Sequence, residues 1–308
     1  MKRKSTLKAI PILATLITAI GLTACQDSDT DNVPMGSVTI AVTDSPIDDA
    51  TAVWIQFVGL TFYGADGYKT EVTFDEPKLV DLLSLQGSLS EEILTEYALP
   101  AGGYSYATFD IDFNTSSIVI EGTSYPLQPD FGDWNTFFKQ LVLESDAKPP
   151  IVPFTVEENL TTHLTFDFDL RKSIFDDGSS NIYSFSPAIR SVVTNESGSI
   201  SGNIIYDGTH FGTTLCVAQN AAVYAFSGRN QSTQDIRGTS GDPFSTSNII
   251  NKGSDYTYEL GFLPTGDYTV AIACNASDDT VNKTEKLEFE DKKNITVDQP
   301  KSFSADFL

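Results

Sequence analysis

The chain has 308 residues, of which 42 are acidic and 19 are Lys or Arg, and its formal net charge is −23 at pH 7. A protein with this net negative charge repels polyanions, and it has few basic residues to neutralise phosphates. The composition therefore excludes a nucleic-acid partner. With 40% hydrophobic residues, including 20 Phe and 12 Tyr, the chain can form packed cores, and its length predicts about two domains.

Residues 1–24 have the organisation of an export signal. Four basic side chains lie within residues 1–8 and precede an apolar stretch, residues 9–22. This stretch is too short to cross a bilayer as a helix, which needs about 20 apolar residues. The sequence therefore predicts a cleaved signal peptide.

The signal ends in Leu22-Thr23-Ala24-Cys25, which resembles the bacterial lipobox. The resemblance implies that cleavage leaves Cys25 at the new N-terminus, carrying acyl chains such as palmitate that hold the protein to a membrane. Gln26 rather than Asp follows, which by resemblance to Gram-negative sorting favours the outer membrane, on either face. The alternative is an ordinary signal peptide. Cleavage leaves 15 basic against 42 acidic residues, a net charge of −27.

Residues 25–35 are polar and are predicted to be a tether. Asp27, Asp29 and Asp31 alternate as at the start of a calcium-binding loop, but no Gly occupies the sixth position and Val38 occupies the twelfth. The spacing therefore favours a plain tether.

Residues 36–194 are predicted to form a β-rich domain. Val38, Ile40 and Val42 alternate with small or polar residues, which indicates a half-buried strand, and a second strand around residues 53–57 repeats this period. Ser88 and Glu91 have the spacing of a helical capping box before Ile93 and Leu94, and this predicts one short helix between Leu79 and Leu99.

Two groups of carboxylates are candidate sites in this domain. Asp44, Asp48 and Asp49 follow the first predicted strand and could bind calcium through oxygen ligands. The alternative is a turn in which Asp44 accepts hydrogen bonds from backbone amides before Pro46.

The second group consists of two pairs at a spacing of two, Asp110 with Asp112 and Asp167 with Asp169. If their strands were neighbours, four carboxylates would cluster and could bind a metal or act as the acid and base of a glycosidase. The alternative is the solvent-exposed face of two strands that bury Phe side chains on the other face.

Other catalytic machinery has little support in the sequence. His163 and His210 are the two histidines, and neither a G-x-S-x-G nor an H-E-x-x-H motif occurs. We expect His163 to be a packed or surface residue of a strand. The pattern favours a protein without catalytic residues and without a cofactor, apart from the candidate calcium.

Cys216 and Cys274 are the cysteines that remain once Cys25 is acylated. Both lie in strand-like sequences of an exported chain, which predicts a disulfide bond. The alternative is two buried free thiols.

The sequence Leu99-Pro-Ala-Gly-Gly-Tyr104 is echoed by Leu263-Pro-Thr-Gly-Asp-Tyr268. In each, Pro and Gly predict a turn, and Tyr begins an alternating strand. With Ile200-Ser-Gly-Asn-Ile204, Ala222-Val-Tyr-Ala-Phe226 and Tyr256-Thr-Tyr-Glu-Leu260, the second copy resembles transthyretin-like and carboxypeptidase-regulatory-like β-sandwiches. This resemblance implies a non-catalytic sandwich over residues 196–308.

Residues 36–194 carry several motifs in a fixed order. They are Thr43-Asp44-Ser45-Pro46, Val53-Trp-Ile-Gln-Phe57, Asp81-Leu82-Leu83, Phe168-Asp169-Leu170-Arg171-Lys172-Ser173-Ile174 and Phe185-Ser-Pro187-Ala-Ile189-Arg190. Together they resemble the bacterial lipoprotein family called domain of unknown function 4382. The resemblance implies a secreted or lipid-anchored β-rich module without assigned activity.

The sequence thus predicts a mainly β protein of two β-sandwich-like domains, lipid-anchored at the outer membrane, with a binding or structural role. A carbohydrate-binding or adhesive lipoprotein is one alternative, in which Trp54, Trp134, Tyr104 and Tyr106 supply stacking faces for a glycan. A protein ligand is equally compatible with this role. The other alternative is a glycoside hydrolase that uses the Asp pairs.

Overall fold

The computed structural model describes residues 33–130, 153–176, 182–205, 216–253, 255–281 and 283–307. The described residues from Pro34 to Phe307 belong to one compact unit. The predicted mainly β class is confirmed, because the described chain consists of strands and single-turn helices. None of its helices is long and apolar enough to cross a membrane.

In the described part of residues 33–193, twelve strands form two sheets, which we call the N-terminal sheets. In chain order they are β1 Met35–Ser45, β2 Ala52–Gly64, β3 Lys69–Asp81, β4 Glu91–Pro100, β5 Gly102–Ile111, β6 Ser117–Ile120, β7 Thr123–Pro129, β8 Phe154–Val156, β9 Thr161–Asp169, β10 Ile174–Asp176, β11 Tyr183–Phe185 and β12 Ile189–Val193.

One N-terminal sheet has the order β12-β9-β1-β4. The other has the order β10-β11-β7-β6-β2-β5-β8, and β3 pairs with β2. Between the two sheets, Phe57 and Phe109 of the larger sheet pack edge-on against Phe166 and Phe168 of the smaller one, with ring centroids 4.9–5.7 Å apart. These rings form the centre of the N-terminal core.

After residue 196, the residues that the structure describes form eight further strands in two four-stranded sheets, which we call the C-terminal sheets. They are β13 Ser197–Ile204, β14 Ala222–Ser227, β15 Ser245–Asn248, β16 Ile250–Asn251, β17 Tyr256–Pro264, β18 Gly266–Ala273, β19 Phe289–Val297 and β20 Ser302–Ser304. Their orders are β16-β17-β13-β20 and β15-β14-β18-β19. The predicted disulfide between Cys216 and Cys274 is present and lies in the core of these sheets.

The short helix predicted near Ser88 is wrong in position. Residues Glu91–Pro100 form strand β4, which pairs antiparallel with β1 and buries Ile93 and Leu99. Pairing and burial therefore outweigh the local capping signal. Within the described ranges the one α-helix, α1, spans Leu170–Ser173, and single 3-10 turns occupy Leu82–Ser84, Thr194–Glu196, Ala218–Asn220 and Ala276–Asp278.

Strand β1 is buried on both faces from Val38 to Ser45, although its sequence predicts a half-buried strand. Its polar face is covered by the segment before β4, since Thr43 donates to the carbonyls of Leu85 and Leu89 at 2.8 and 2.7 Å. At the end of β1, Ser45 meets Ser245 of the C-terminal sheets. β1 is therefore a central strand that ends where the two pairs of sheets touch.

Candidate functional site

The largest group of buried charges lies where the N-terminal and C-terminal sheets touch, and we call this contact the junction. Its members from the N-terminal sheets and α1 are Asp44, Ser45, Asp48, Asp167, Asp169, Arg171, Lys172 and Arg190, and those from the C-terminal side are Pro243, Ser245, Asn248, Gly261, Phe262 and Ala276.

Arg190 of β12 forms the first bridge across the junction. Its guanidinium forms an ion pair with Asp167, its cross-strand neighbour on β9, and both side chains are at most 10% exposed. The same guanidinium donates to the carbonyls of Phe262 at 2.5 Å and Gly261 at 3.2 Å, and it lies 4.9 Å from the ring centroid of Phe244. A single cation therefore joins both pairs of sheets.

Arg171 of α1 forms the second bridge. Its guanidinium binds both carboxylate oxygens of Asp48 and donates to the carbonyl of Ala276 at 2.9 Å and to the Asn248 side chain at 3.3 Å. It also lies 5.7 Å from the ring of Tyr224. An arginine fork suits this role, because its donors can satisfy a carboxylate and carbonyls together.

Asp169 forms the N-cap of α1 and positions the third cation. Its carboxylate accepts from the Lys172 backbone N–H at 3.1 Å and lies 2.7 Å from the Lys172 ammonium. The ammonium donates to the carbonyl of Pro243 at 2.6 Å. The single-turn helix therefore directs Arg171 and Lys172 toward the C-terminal sheets.

Asp44 is the one junction carboxylate for which no described side chain provides a hydrogen bond or an ion pair. It is 4% exposed, and burial together with the nearby carboxylates of Asp167 and Asp169 raises its pKa well above the ordinary value. At the junction Asp44, Asp48, Asp167 and Asp169 thus face three cations, and burial favours the uncharged form of Asp44.

Tyr224 extends the junction network into the C-terminal core. Its hydroxyl donates to Asp279 at 2.6 Å, and Asp279 also accepts from the Ile236 backbone N–H at 3.0 Å. Burial raises the pKa of Asp279 to about 6, against the opposing effect of these hydrogen bonds.

The three candidate calcium ligands do not converge. Asp48 is held by Arg171, Asp49 is exposed and Asp44 is buried. In the described ranges, no group of three or more His, Cys, Asp or Glu side chains is placed to hold a metal ion. The alternative expectation of a turn at Asp44 is wrong, because Asp44 lies within strand β1. A calcium site here stays a prediction.

The two Asp pairs lie in different sheets, so the four-carboxylate cluster does not form. Asp110 is exposed on β5, and Asp112 follows β5 and accepts from Asn114 and Thr115 in a turn. The solvent-face expectation is wrong for Asp167 and Asp169, which are 3% and 6% exposed because the C-terminal sheets cover this face.

Of the aromatic residues expected to stack on a glycan, Tyr104 is buried. Its ring is stacked on Phe154 and its hydroxyl donates to the Pro100 carbonyl at 2.9 Å, so its expected exposure is wrong. Trp54 is 36% exposed on β2, and Tyr106 is half-buried and stacked on Tyr63. Trp134 lies outside the described residues.

Several other predicted sites also lie outside the described residues. They are Cys25, His210 and the tether carboxylates Asp27, Asp29 and Asp31. His163 is an exposed residue of β9, as expected for a surface position.

The sequence motifs do not predict the bridging roles of Arg171, Lys172 and Arg190, although all three residues lie in motifs that resemble those of DUF4382. A signal was present in the sequence, since Arg190 interrupts the apolar sequence Ala188-Ile189-Arg190-Ser191-Val192. A cation in such a strand must find a buried partner or reach solvent. The sequence alone does not show which carboxylate lies opposite.

Residues 35–187 match the family model described as a domain of unknown function, DUF4382. The predicted resemblance of the first half to this family is therefore confirmed. The resemblance of residues 199–308 to transthyretin-like sandwiches stays a prediction. No curated protein matches the chain.

Three solved structures are similar over most of the chain at low identity. A candidate adhesin from Bacteroides ovatus is 12% identical and covers 92% of this chain and 94% of its own, with a TM-score of 0.21. The minor pilin GBS52 of Streptococcus agalactiae is 8% identical, with coverages of 88% and 94% and a TM-score of 0.20. A candidate cell adhesion protein from Bacteroides fragilis is 11% identical, with coverages of 88% and 92% and a TM-score of 0.21.

Proposed function

We propose that this chain is a lipid-anchored protein of the outer membrane with a non-catalytic binding or structural role. In this proposal, residues 1–24 are removed, Cys25 carries the acyl chains, and residues 36–194 and 196–308 are two domains joined into one rigid body. The lipobox-like sequence before Cys25 supports the anchor. The disulfide between Cys216 and Cys274 supports an oxidising compartment.

The main evidence for a structural role is the pairing of Arg190 with Asp167. Asp167 is a carboxylate that a hydrolase could use, but it is buried against Arg190, and Arg190 is bound to two carbonyls of the C-terminal sheets. A general acid or base must reach the substrate proton, which a buried and paired group does not. The charged side chains of the junction therefore hold the N-terminal and C-terminal sheets together.

Two measurements test the proposed lipid anchor at Cys25. Cys25→Ser should abolish incorporation of labelled palmitate and release the protein from the membrane fraction. A wild-type protein whose first residue by mass spectrometry is not an acylated Cys25 would overturn the anchor.

A third measurement tests the non-catalytic role. The protein should release no reducing ends from a panel of envelope polysaccharides, and Asp110→Asn, at an exposed site that leaves the core unchanged, should behave identically. Turnover that Asp110→Asn removes while the melting temperature is unchanged would favour the glycoside hydrolase.

An adhesive role is the second candidate, and Trp54 is the observation that favours it. An exposed indole on a β-sheet face can stack on a sugar ring. Trp54→Ala should then remove binding on a glycan array without lowering stability. Equal array signals for wild type and Trp54→Ala would exclude this stacking site.

A further inference from the structure

Three exposed apolar side chains lie at the end of the N-terminal sheets where the chain enters β1, which we call the tether end. Met35 is 42% exposed, Tyr68 49% and Leu160 56%. They stand on three neighbouring elements, namely the start of β1, the turn between β2 and β3, and the turn between β8 and β9.

Backbone hydrogen bonds fix these elements side by side. The Met35 carbonyl accepts from the Asn159 N–H at 2.9 Å, and the Leu160 carbonyl accepts from the Ser37 N–H at 2.9 Å. On the other sheet, the Tyr68 carbonyl accepts from Gly64, and Ala65 donates to Gly103 beside the β4–β5 corner. The three side chains therefore belong to one ordered end of the molecule.

The tether end lies far from the junction. β1 starts at Met35 and reaches the junction at Ser45, and eleven residues of strand measure about 33 Å. Exposed apolar groups at the tether end therefore cannot be explained as part of the contact between the N-terminal and C-terminal sheets.

We propose that the tether end lies on the lipid surface, with Met35, Tyr68 and Leu160 in contact with the interface between headgroups and acyl chains. This inference rests on the proposed acylation of Cys25. Met35 lies ten positions after Cys25, so even a fully extended tether holds this end within about 36 Å of the anchor. Tyrosine and aliphatic side chains are favoured at this depth of a bilayer.

The charges at the tether end indicate which lipid headgroups this surface can contact. Asp66, Glu157 and Glu158 are exposed on these elements, and the exposed Lys69 is paired with Glu71. The surplus of carboxylates is repelled by anionic headgroups. The surface therefore fits zwitterionic lipid, and it places the C-terminal sheets away from the membrane.

The test uses the full-length acylated protein in phosphatidylcholine vesicles. Leu160→Cys and, separately, Tyr68→Cys provide the one reactive thiol for an environment-sensitive NBD label, because Cys25 is acylated and Cys216 is bonded to Cys274. Leu89→Cys is the matched control, since Leu89 is 60% exposed and lies beside the junction end of β1. We expect a blue shift, several-fold brighter emission and quenching by spin-labelled headgroups at positions 160 and 68. Position 89 should show none of these changes.

Equal emission and equal quenching at positions 160 and 89 would overturn the inference. Replacing part of the phosphatidylcholine with phosphatidylglycerol should weaken the signal at position 160. The mass of the N-terminal peptide is measured on the same samples, so a missing acyl chain is recognised as a failure of the anchor. In that case, a polyhistidine tag before residue 26 on nickel-chelating lipid tests the tether end independently.

Discussion

Tyr104 and Tyr268 make the same hydrogen bond in the two parts of the chain. Each hydroxyl donates to the carbonyl of the proline four residues earlier, Pro100 at 2.9 Å and Pro264 at 2.7 Å. Each tyrosine also lies in the first strand after a corner that links two sheets, from β4 to β5 and from β17 to β18. Both corners are tyrosine corners, which fix the angle between the sheets of a sandwich.

The strands around these corners repeat as well. Gly36 lies opposite Leu99 and Gly198 opposite Leu263, and both first strands also pair in parallel with a later strand. A Cβ at Gly36 would lie 2.1 Å from the Glu157 carbonyl oxygen, and one at Gly198 would lie 2.7 Å from that of Lys301. Both parts of the chain therefore follow one plan, in which glycine permits the close approach of a neighbouring backbone.

The ion pair at Arg190 predicts a large loss of stability when it is broken. We expect Arg190→Ala to lower the free energy of unfolding by about 3–5 kcal/mol, since it leaves Asp167 buried without a cation. Urea unfolding measures this loss. The control is Arg229→Ala, whose pair with Asp267 is about half exposed, and which should change stability by less than about 1 kcal/mol. Similar losses in the two variants would show that the junction does not depend on Arg190.

The regular parts of this fold were predictable because they follow from local chemistry. Alternation at Val53, Ile55 and Phe57 predicts a strand whose apolar side chains are all buried, and they are. The Leu-Pro-x-Gly-x-Tyr sequences predict a turn followed by a strand at both positions, since Pro and Gly suit the turn and tyrosine can pack inward.

The junction was not predictable in the same way, because it depends on which surfaces meet. The alternation of Phe166 and Phe168 with Asp167 and Asp169 is identical for an exposed strand and for one covered by another sheet. The helix predicted near Ser88 is wrong for a related reason, since pairing with β1 decides the conformation of Glu91–Pro100. Long-range contacts of this kind leave little trace in a single sequence.

Gly261 predicts a steric test of the junction. A Cβ at this position would lie 1.8 Å from the Gly87 carbonyl oxygen, so Gly261→Ala should force the two backbones apart. We expect a loss of about 1–3 kcal/mol, as for overpacked interiors. Gly266→Ala is the control, because the nearest atom to its Cβ is on the ring of Tyr268 at 3.9 Å. If both variants unfold at the same urea concentration, the close approach is not required.

The disulfide predicts a reduction-sensitive C-terminal part. Cys216 and Cys274 are 58 residues apart, and opening such a loop should lower stability by about 4 kcal/mol in the chain-entropy account. Thermal melts with and without a reductant measure this effect. The double variant Cys216→Ala, Cys274→Ala should melt lower than wild type and should not respond to reductant. A wild type that is insensitive to complete reduction would contradict the prediction.

Calcium provides a test of the acidic group at Asp44, Asp48 and Asp49. Because Arg171 already holds Asp48, we expect wild type to melt at the same temperature in calcium and in sodium of matched ionic strength. A specific site would instead add about 2.7 kcal/mol at a calcium concentration a hundredfold above its Kd. Calcium stabilisation that is absent from Asp44→Asn would establish the site.

Asp44 predicts the sign of a pH dependence. Its folded-state pKa is raised above the unfolded value, so its contribution to stability is fully present below the unfolded pKa and is lost as pH rises toward the folded pKa. Asp44→Asn keeps the shape of the neutral acid and cannot ionise, so it should be more stable than wild type at pH 8 and nearly equal at pH 4.

Asp279, whose pKa is raised to about 6, gives a loss of the same sign between the two pH values, but it is present in both proteins and cancels. Asp49→Asn, at an exposed position, is the control for the removal of one carboxylate. If Asp44→Asn is less stable than wild type at pH 8, Asp44 is ionised in the folded protein and a cation must lie beside it.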